Sequence, residues 1–478
     1  MLSAIRGSLL CLLALAGAVI GLVAPGGDPS PAAQGAPYPS GVQRPNVVLI
    51  LTDDMRADEL RYLPHVRRLL VARGVTYTNA ISPHPICCPA RASLATGQLA
   101  QNNGVRHNEG PWGGYQSLLR PRNTVARWLH EAGYHNGFHG KYLNYYHQSG
   151  GRRPPGWDVW EPQLTSQYAY GLRPTRFEGG TRFSGTYITE AVQELTDRSI
   201  RRAHRSGKPF FEWINHVAPH AAKLPGRPHQ IHPVYQRKYA DAHAHALPRV
   251  IREGDFRGTA AERRWLIDHT RARLRALRSV DDAVARTVRL LRRTGELKHT
   301  YFVFTSDNGY QLGEQGILGK NRLYEGSLRV PLVVRGPGIA PGTRDDTPVS
   351  LVDLVPTFVT WAGATPGRRL DGLPIGAVDD TVRDTLLIQT GDQREDASPG
   401  WWWRGVRTRD YVYAAPVGRP DRGFLYDLES DPGQRTNLIR RQSHASIRVA
   451  LARRTAVLSG CSGPAECNRV FGPLPPVG

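Results

Sequence analysis

The most regular feature of the chain is a set of short, nearly continuous apolar runs that each end in charged or amide residues. Asn46-Val47-Val48-Leu49-Ile50-Leu51 shows no polar alternation after its first residue, the pattern of a strand covered on both faces in a parallel sheet, and it ends at Thr52-Asp53-Asp54. Tyr134 to Phe138 leads to His139-Gly140-Lys141, Phe210 to Ile214 leads to Asn215-His216 and then His220, and Tyr301 to Phe304 leads to Thr305-Ser306-Asp307-Asn308-Gly309. In open α/β sheets ligands sit beyond the carboxyl ends of the strands, so four such endings point to one shared site. Between the strands, Leu274, Leu277, Val280, Val284, Val288 and Leu291 recur at spacings of three and four, which predicts a helix over Arg263 to Arg293 with its arginines on the solvated face. A second helix is expected over Leu351 to Ala362, interrupted by Pro356.

A shorter helix is predicted just after Ile86, because Pro89 suits a first turn and Gly97 an end. It places Cys87 and Cys88 where unpaired N–H groups and partial positive charge attract anions and favour a nucleophile. Further on, Pro331 to Val334 reads as another strand, and Trp401 to Thr408, Tyr411 to Ala414 and Leu425 to Leu428 as a small antiparallel sheet. The three adjacent tryptophans are read as packing between subdomains before sugar stacking. The segment holding His229, His232, His243 and His245 is read as a surface loop before a second metal site, since no acidic or cysteine partner stands at a ligand spacing.

The N-terminus departs from this pattern. Arg6 precedes an apolar run from Leu9 to Val23 and then Ala24-Pro25-Gly26-Gly27, so residues 1–24 read as a secretory signal, with an uncleaved anchor as the alternative. Residues 25–44 read as a Pro/Gly/Ala-rich leader, residues 45–380 as a catalytic domain and 381–478 as a small C-terminal α+β subdomain. An extracellular location follows, with no stable membrane partner. In that oxidising setting Cys461 and Cys467 are expected to pair, Cys11 leaves with the signal, and the adjacent Cys87 and Cys88 need another role. The formal charge is +21, yet only six of the 62 basic residues are lysines, so much of the excess reads as a general arginine bias rather than a patch. No motif for nucleic acid accompanies it.

Asp53, Asp54, Asp307 and Asn308 offer only oxygen from two strand ends, a set suited to a hard cation, Ca²⁺ or Mg²⁺, rather than zinc. Lys141, Lys320, Arg91 and His220 add donors that could grip a tetrahedral anion. Together with these, Cys87-Cys88-Pro89-Ala90-Arg91 followed by Leu94-Ala95-Thr96-Gly97 resembles the sulfatase signature. The likeness runs in order through Leu51-Thr52-Asp53-Asp54, Gly140-Lys141-Tyr142, Ala218-Pro219-His220, Ser306-Asp307-Asn308-Gly309-Tyr310 and Lys320. Gly140-Lys141-Tyr142-Leu143-Asn144, Pro154-Pro155-Gly156-Trp157, Ser279-Val280-Asp281-Asp282 and Thr294-Gly295-Glu296-Leu297 are similar to the glucosamine-6-sulfatase and heparan sulfate 6-O-endosulfatase branch.

The resemblance implies an α/β fold of the alkaline-phosphatase-like kind, with a large, mostly parallel sheet flanked by helices and a small C-terminal antiparallel subdomain. It implies a sulfuric ester hydrolase acting on a sulfated carbohydrate or small sulfate ester. Cys87 would be oxidised to formylglycine (3-oxoalanine) by a formylglycine-generating enzyme, and Ca²⁺, before Mg²⁺, held by Asp53, Asp54, Cys87, Asp307 and Asn308. It also implies that Arg91 and Lys141 hold the formylglycine while His220 and Lys320 bind sulfate and protonate the departing alcohol. Many sulfatases carry a histidine where this chain has Leu143, which leaves His139 and His216 as candidates for the final proton transfer. Two other readings compete: a formylglycine-dependent phosphonate or phosphodiester hydrolase, and a non-catalytic binder of sulfated glycans.

Overall fold

The computed structural model describes residues 44–165, 168–222, 239, 242–394 and 400–478. The signal segment, the leader up to residue 43, and His229 and His232 lie outside the described residues. The strand predicted from Asn46 is the centre of the fold. We label it β1 (Asn46–Asp53), followed along the chain by β2 (Val75–Tyr77), β3 (His135–Gly140), β4 (Val159–Pro162) and β5 (Phe210–Pro219). Then come β6 (Thr300–Ser306), β7 (Leu332–Arg335) and β8 (Thr343–Asp345). Among the described residues these eight form one sheet in the order β8-β2-β7-β6-β1-β5-β3-β4.

β1 pairs in parallel with both β5 and β6, and β3 is parallel to β5 and β4. Only β7 runs antiparallel to its neighbours, β6 and β2. β1 explains why the sheet can be central: Val47, Leu49 and Leu51 enter one core layer while Val48 and Ile50 enter the other. A strand needs such a continuous apolar run when neither face meets water.

The layer above Val48 and Ile50 is built from α1 (Pro64–Leu69), α3 (Ile188–Ser206) and α4 (Ala260–Arg293). The opposite layer holds α2 (Cys87–Thr96) and α5 (Leu354–Ala362). The stripe predicted on α4 is buried, but the expectation that its arginines are solvated fails at Arg273, which is as buried as the leucines. Pro356 does not interrupt α5. It is the helix's third residue, a first-turn position whose missing N–H costs nothing.

The C-terminal strands β9 (Leu386–Gly391), β10 (Trp401–Arg407), β11 (Tyr411–Pro416) and β12 (Phe424–Asp427) form a four-stranded antiparallel sheet. One face packs on α6 (Ala445–Ser459) through Val406, Leu425, Leu451 and Leu458. The other shares a core with Ile81, Leu323 and Leu328. Trp401 is buried, with the guanidinium groups of Arg106 and Arg404 4.8 and 3.8 Å from its ring, while Trp402 and Trp403 are half-buried. Cys461 and Cys467 are joined by a disulfide, and Cys87 and Cys88 are free and buried. Among the described residues no helix is long and apolar enough to cross a membrane.

Candidate active site and metal centre

The ends of β1 and β6 meet at one point because the two strands pair in register up to Thr52 and Ser306. Asp53 and Asp54 therefore stand beside Asp307 and Asn308. The Asp54 N–H donates to Asp307 Oδ1 at 3.2 Å, and Met55 N–H donates to Ser306 Oγ at 2.9 Å. Asp54 has φ +74, an uncommon backbone for a residue with a side chain. Its carbonyl accepts a 2.6 Å hydrogen bond from Arg273 Nη2, and Arg273 is paired with Glu59 at 3.0 Å through both Nε and Nη2. α4 thus reaches under the site and holds the turn.

α2 delivers the cysteines. Cys87 is its first residue and Gly97 closes it at φ +67. The N–H of Cys88 donates to Asn108 Oδ1 at 2.7 Å, which caps the helix from a neighbouring loop. The Cys87 thiol lies 3.3 Å from Asp53 Oδ1, and Lys320 Nζ lies 2.8 Å from its sulfur. Lys320 also bonds Asp54, and Lys141 Nζ bonds Asp53 Oδ2 at 2.5 Å. One turn along α2, Arg91 Nε donates to Asp307 Oδ2 at 2.9 Å while its Nη1 reaches the Lys141 carbonyl and Asn215 Oδ1. Gly140 makes this closure possible. It has φ +96, and a Cβ there would lie 2.0 Å from the Asn215 carbonyl.

These groups fit a hard cation. Ligand atoms of Asp53, Asp54 and Cys87 all lie within 4.8 Å of one another, and Asn308 Oδ1 is buried without a hydrogen-bond partner. An orphaned amide oxygen beside three carboxylates is what an oxygen-only cation site provides. The electrostatics agree. Burial, with Asp53 close by, pushes the Asp307 carboxyl up to about 6, while burial of Asp53 is outweighed by Lys141, His220 and Lys320, which hold it far below the usual carboxylate range. Burial and then Asp53 push the Cys87 thiol up to about 11, against Lys141 and Lys320, so the unmodified side chain is a neutral thiol near pH 7.

The histidines separate by environment. His220 donates from Nδ1 to the Ala221 carbonyl at 2.7 Å, which leaves Nε2 facing Asp54 Oδ2 at 3.8 Å, and its ring stacks on Tyr168. His139 sits with Nδ1 2.9 Å from Glu161 and Nε2 2.9 Å from Glu212, so both ring nitrogens are engaged away from the cysteine. His216 is buried with Nδ1 unpartnered, and burial pushes it down to about 3. Leu143 packs in the core. His243 meets the edge of Tyr62 at 5.2 Å, as suits a loop residue. A second grouping, His65, Asp281 and Asp282, is occupied by structure: Asp281 accepts from the N–H groups of His65 and Val66, and Asp282 from Tyr239. Sequence reasoning missed Arg273, Glu59 and Asn108, which lie outside the expected motifs although Arg273 and Asn108 contact them.

Residues 45–364 match the family described as Sulfatase, and residues 313–459 match "N-sulphoglucosamine sulphohydrolase, C-terminal". The chain is 31% identical to the human N-acetylglucosamine-6-sulfatase over 485 residues, 89% of this chain and 86% of that protein. It is also 31% identical to the extracellular sulfatase SULF-1 homolog of Drosophila melanogaster over 74% of this chain, which spans only 34% of that relative's length. Among solved structures, a protein in complex with its substrate D-glucosamine-2-N,6-O-disulfate shares the fold at TM-score 0.71 and 21% identity, covering 87% of this chain and 97% of that one. The phosphonate monoester hydrolase of Agrobacterium radiobacter shares it at TM-score 0.66 and 21% identity, covering 90% and 97%. The architecture is the alkaline-phosphatase-like one.

Proposed function

Because the chain belongs to the sulfatase family of sulfuric ester hydrolases, we propose that it cleaves the sulfate monoester of a sulfated sugar, 6-sulfated glucosamine being the preferred class. The observation that carries this reading is Cys87 at the start of α2, within reach of Lys320 and of an oxygen-only ligand set with one orphaned amide oxygen. Cys87 works as formylglycine, and Asp53, Asp54, Asp307 and Asn308 hold a divalent cation, Ca²⁺ before Mg²⁺. With position 87 as formylglycine and a divalent cation held by Asp53, Asp54, Asp307 and Asn308, the site would have nucleophilic hydroxyl chemistry suited to a sulfate ester.

The side chains of this protein do the remaining work. Lys141 and Arg91 fix Asp53 and Asp307, so that the ligands are in place before substrate arrives. Lys320 and the α2 N-terminus offset the charge of the sulfate oxygens, and His220 stands where Nε2 can carry a proton at the ester oxygen. Of the two candidates for the last proton transfer, His216 keeps a ring nitrogen without a partner, whereas His139 has none to spare. Secretion through residues 1–24, conversion by a formylglycine-generating enzyme, and the division into a catalytic part, 45–380, and a C-terminal part, 381–478, complete the proposal. The extracellular relative in Drosophila supports the first of these.

In the tryptic peptide Gly74 to Arg91 of secreted protein, Cys87 is expected to have lost its sulfur while Cys88 still reacts with iodoacetamide. Cys87→Ala should lower kcat by at least about a thousandfold. Hydrolysis of 6-sulfated glucosamine should outpace that of phenyl sulfate, a phosphonate monoester and a phosphate diester. A faster phosphonate or diester would replace the substrate class, and a retained thiol at Cys87 in active protein would remove the nucleophile.

A further inference from the structure

A cavity of about 680 Å³ lies outside the catalytic cluster, walled by residues 56–58, 60 and 61, the end of β2, the start of β7 and residues 432–434. None of the catalytic or cation-binding candidates lines it. Because β2 and β6 both run antiparallel to β7, β2 points the same way as β1 and β6, and the cavity lies at the same end of the sheet as the site. Arg56 forms the partition, donating from Nη1 to the Tyr310 carbonyl at 2.6 Å.

The cavity's charge is unbalanced. Seven arginines line it against three carboxylates, and those carboxylates are already engaged. Asp58 and Glu314 each pair with buried Arg56 at 2.8 Å, and Glu325 pairs with Arg407, which is not part of the lining, at 2.9 and 3.0 Å. Arg61, Arg67 and Arg344 are exposed, and among the described residues none has a carboxylate within ion-pair distance. Arg252 comes no nearer than 3.8 Å to Glu253. The field is felt locally. Burial would raise Asp58, yet Arg56, aided by Arg61 and Arg252, brings it down to about 2.

We propose that this cavity is a second binding site that holds a sulfated oligosaccharide at a distance from the ester being cleaved. The inference rests on the reading of the protein as a sulfatase of sulfated sugars. Guanidinium forks match the oxygen geometry of sulfate, and Arg61, Arg67 and Arg344 give up no ion pair to bind it, although Arg61 donates to the Tyr62 hydroxyl at 3.1 Å. The volume accepts a disaccharide-sized segment. A chain carrying several sulfates could then lie across one end of the sheet, one residue in the cavity and another at Cys87. The arginine bias of the sequence is concentrated here into a shaped site.

The test measures binding of a fluorescent heparin octasaccharide to the full protein at about 0.15 M salt. The triple variant Arg61→Gln/Arg67→Gln/Arg344→Gln should bind roughly tenfold more weakly or worse, with phenyl sulfate hydrolysis unchanged. The control Arg202→Gln/Arg205→Gln/Arg453→Gln removes the same charge from exposed helix positions and should bind as the parent does. Unchanged affinity in the cavity variant overturns the proposal, and so does an equal loss in both variants, which would mean that binding follows net charge alone. If the parent cleaves no sulfate ester while binding still depends on the cavity arginines, the function reading fails and the glycan site stands.

Discussion

Asp54 shows how much of the site's shape depends on residues outside the cluster around Cys87. Its left-handed backbone carries a cost of order 1–3 kcal/mol for a residue with a side chain, and the surrounding contacts must overcome it. Arg273 supplies the hydrogen bond to its carbonyl, and Glu59 keeps Arg273 aimed. Arg273→Gln is expected to weaken Ca²⁺ binding about 10- to 100-fold, read by calorimetry, with Arg273→Lys recovering part of the loss. Equal Ca²⁺ affinity in parent and variant would reduce Arg273 to a packing residue. The position was accessible in the sequence: Arg273 stands four residues before Leu277 and seven before Val280, on the apolar stripe itself. A count of arginines along α4 hides this, because a charged residue on a buried stripe looks like one more solvated residue until its partner is seen. Glu59 is 214 positions away, too far for any local pattern to join them.

At the level of elements, β3 and β5 are tied by His139, whose ring bridges Glu161 and Glu212. Burial alone would lower this histidine, but the two carboxylates raise it to about 9 from an ordinary value of 6.5. A folded-state value above the unfolded one stabilises the protein fully below about pH 6.5, and the gain is lost as pH rises through about 9. The difference is on the order of 3 kcal/mol. Urea unfolding should therefore show falling stability across that window, and His139→Gln should flatten the decline even though it lowers the starting value. The elements themselves were largely legible. β1 was marked by unbroken apolar residues, and the four strand endings named nearly every group now found around Cys87. The direction of β7 was not, since Leu332-Val333-Val334 reads alike from either end, and only its pairing with β6 and β2 sets it antiparallel. Asn108 escaped for a similar reason, as its capping bond spans 20 residues and leaves no spacing signal.

Across the whole molecule, the small sheet is joined to the segments beside the large one by a shared core as well as by charge. Ile81, Leu323 and Leu328 pack against Leu386, Ile388 and Phe424, while Arg407 bonds Glu325 and Asn79 from the far side of the boundary. Arg407→Ala leaves Glu325 without its main partner and should cost about 3 kcal/mol. Because the core is shared, near- and far-ultraviolet signals should still move together in urea, at a lower midpoint. Two separate transitions would mean that the C-terminal part folds by itself. Sequence composition suggested a boundary at 380/381 but could not show how the small sheet docks, which rests on contacts such as that of Arg407 with Asn79, 328 positions away.

The central placement of β1 also fixes how the site opens. Its N–H groups are locked between β5 and β6, with three strands of the sheet on one side and four on the other, so the peptide carrying Asp53 has no local fraying route. Deuterium should therefore enter the amides of Leu49 to Thr52 only when the entire molecule unfolds, at a rate that chelation of the cation changes no more than it changes global stability. Faster uptake confined to these amides after chelation would show a hinge at the catalytic strand; its absence means that an emptied centre keeps its shape and can be refilled.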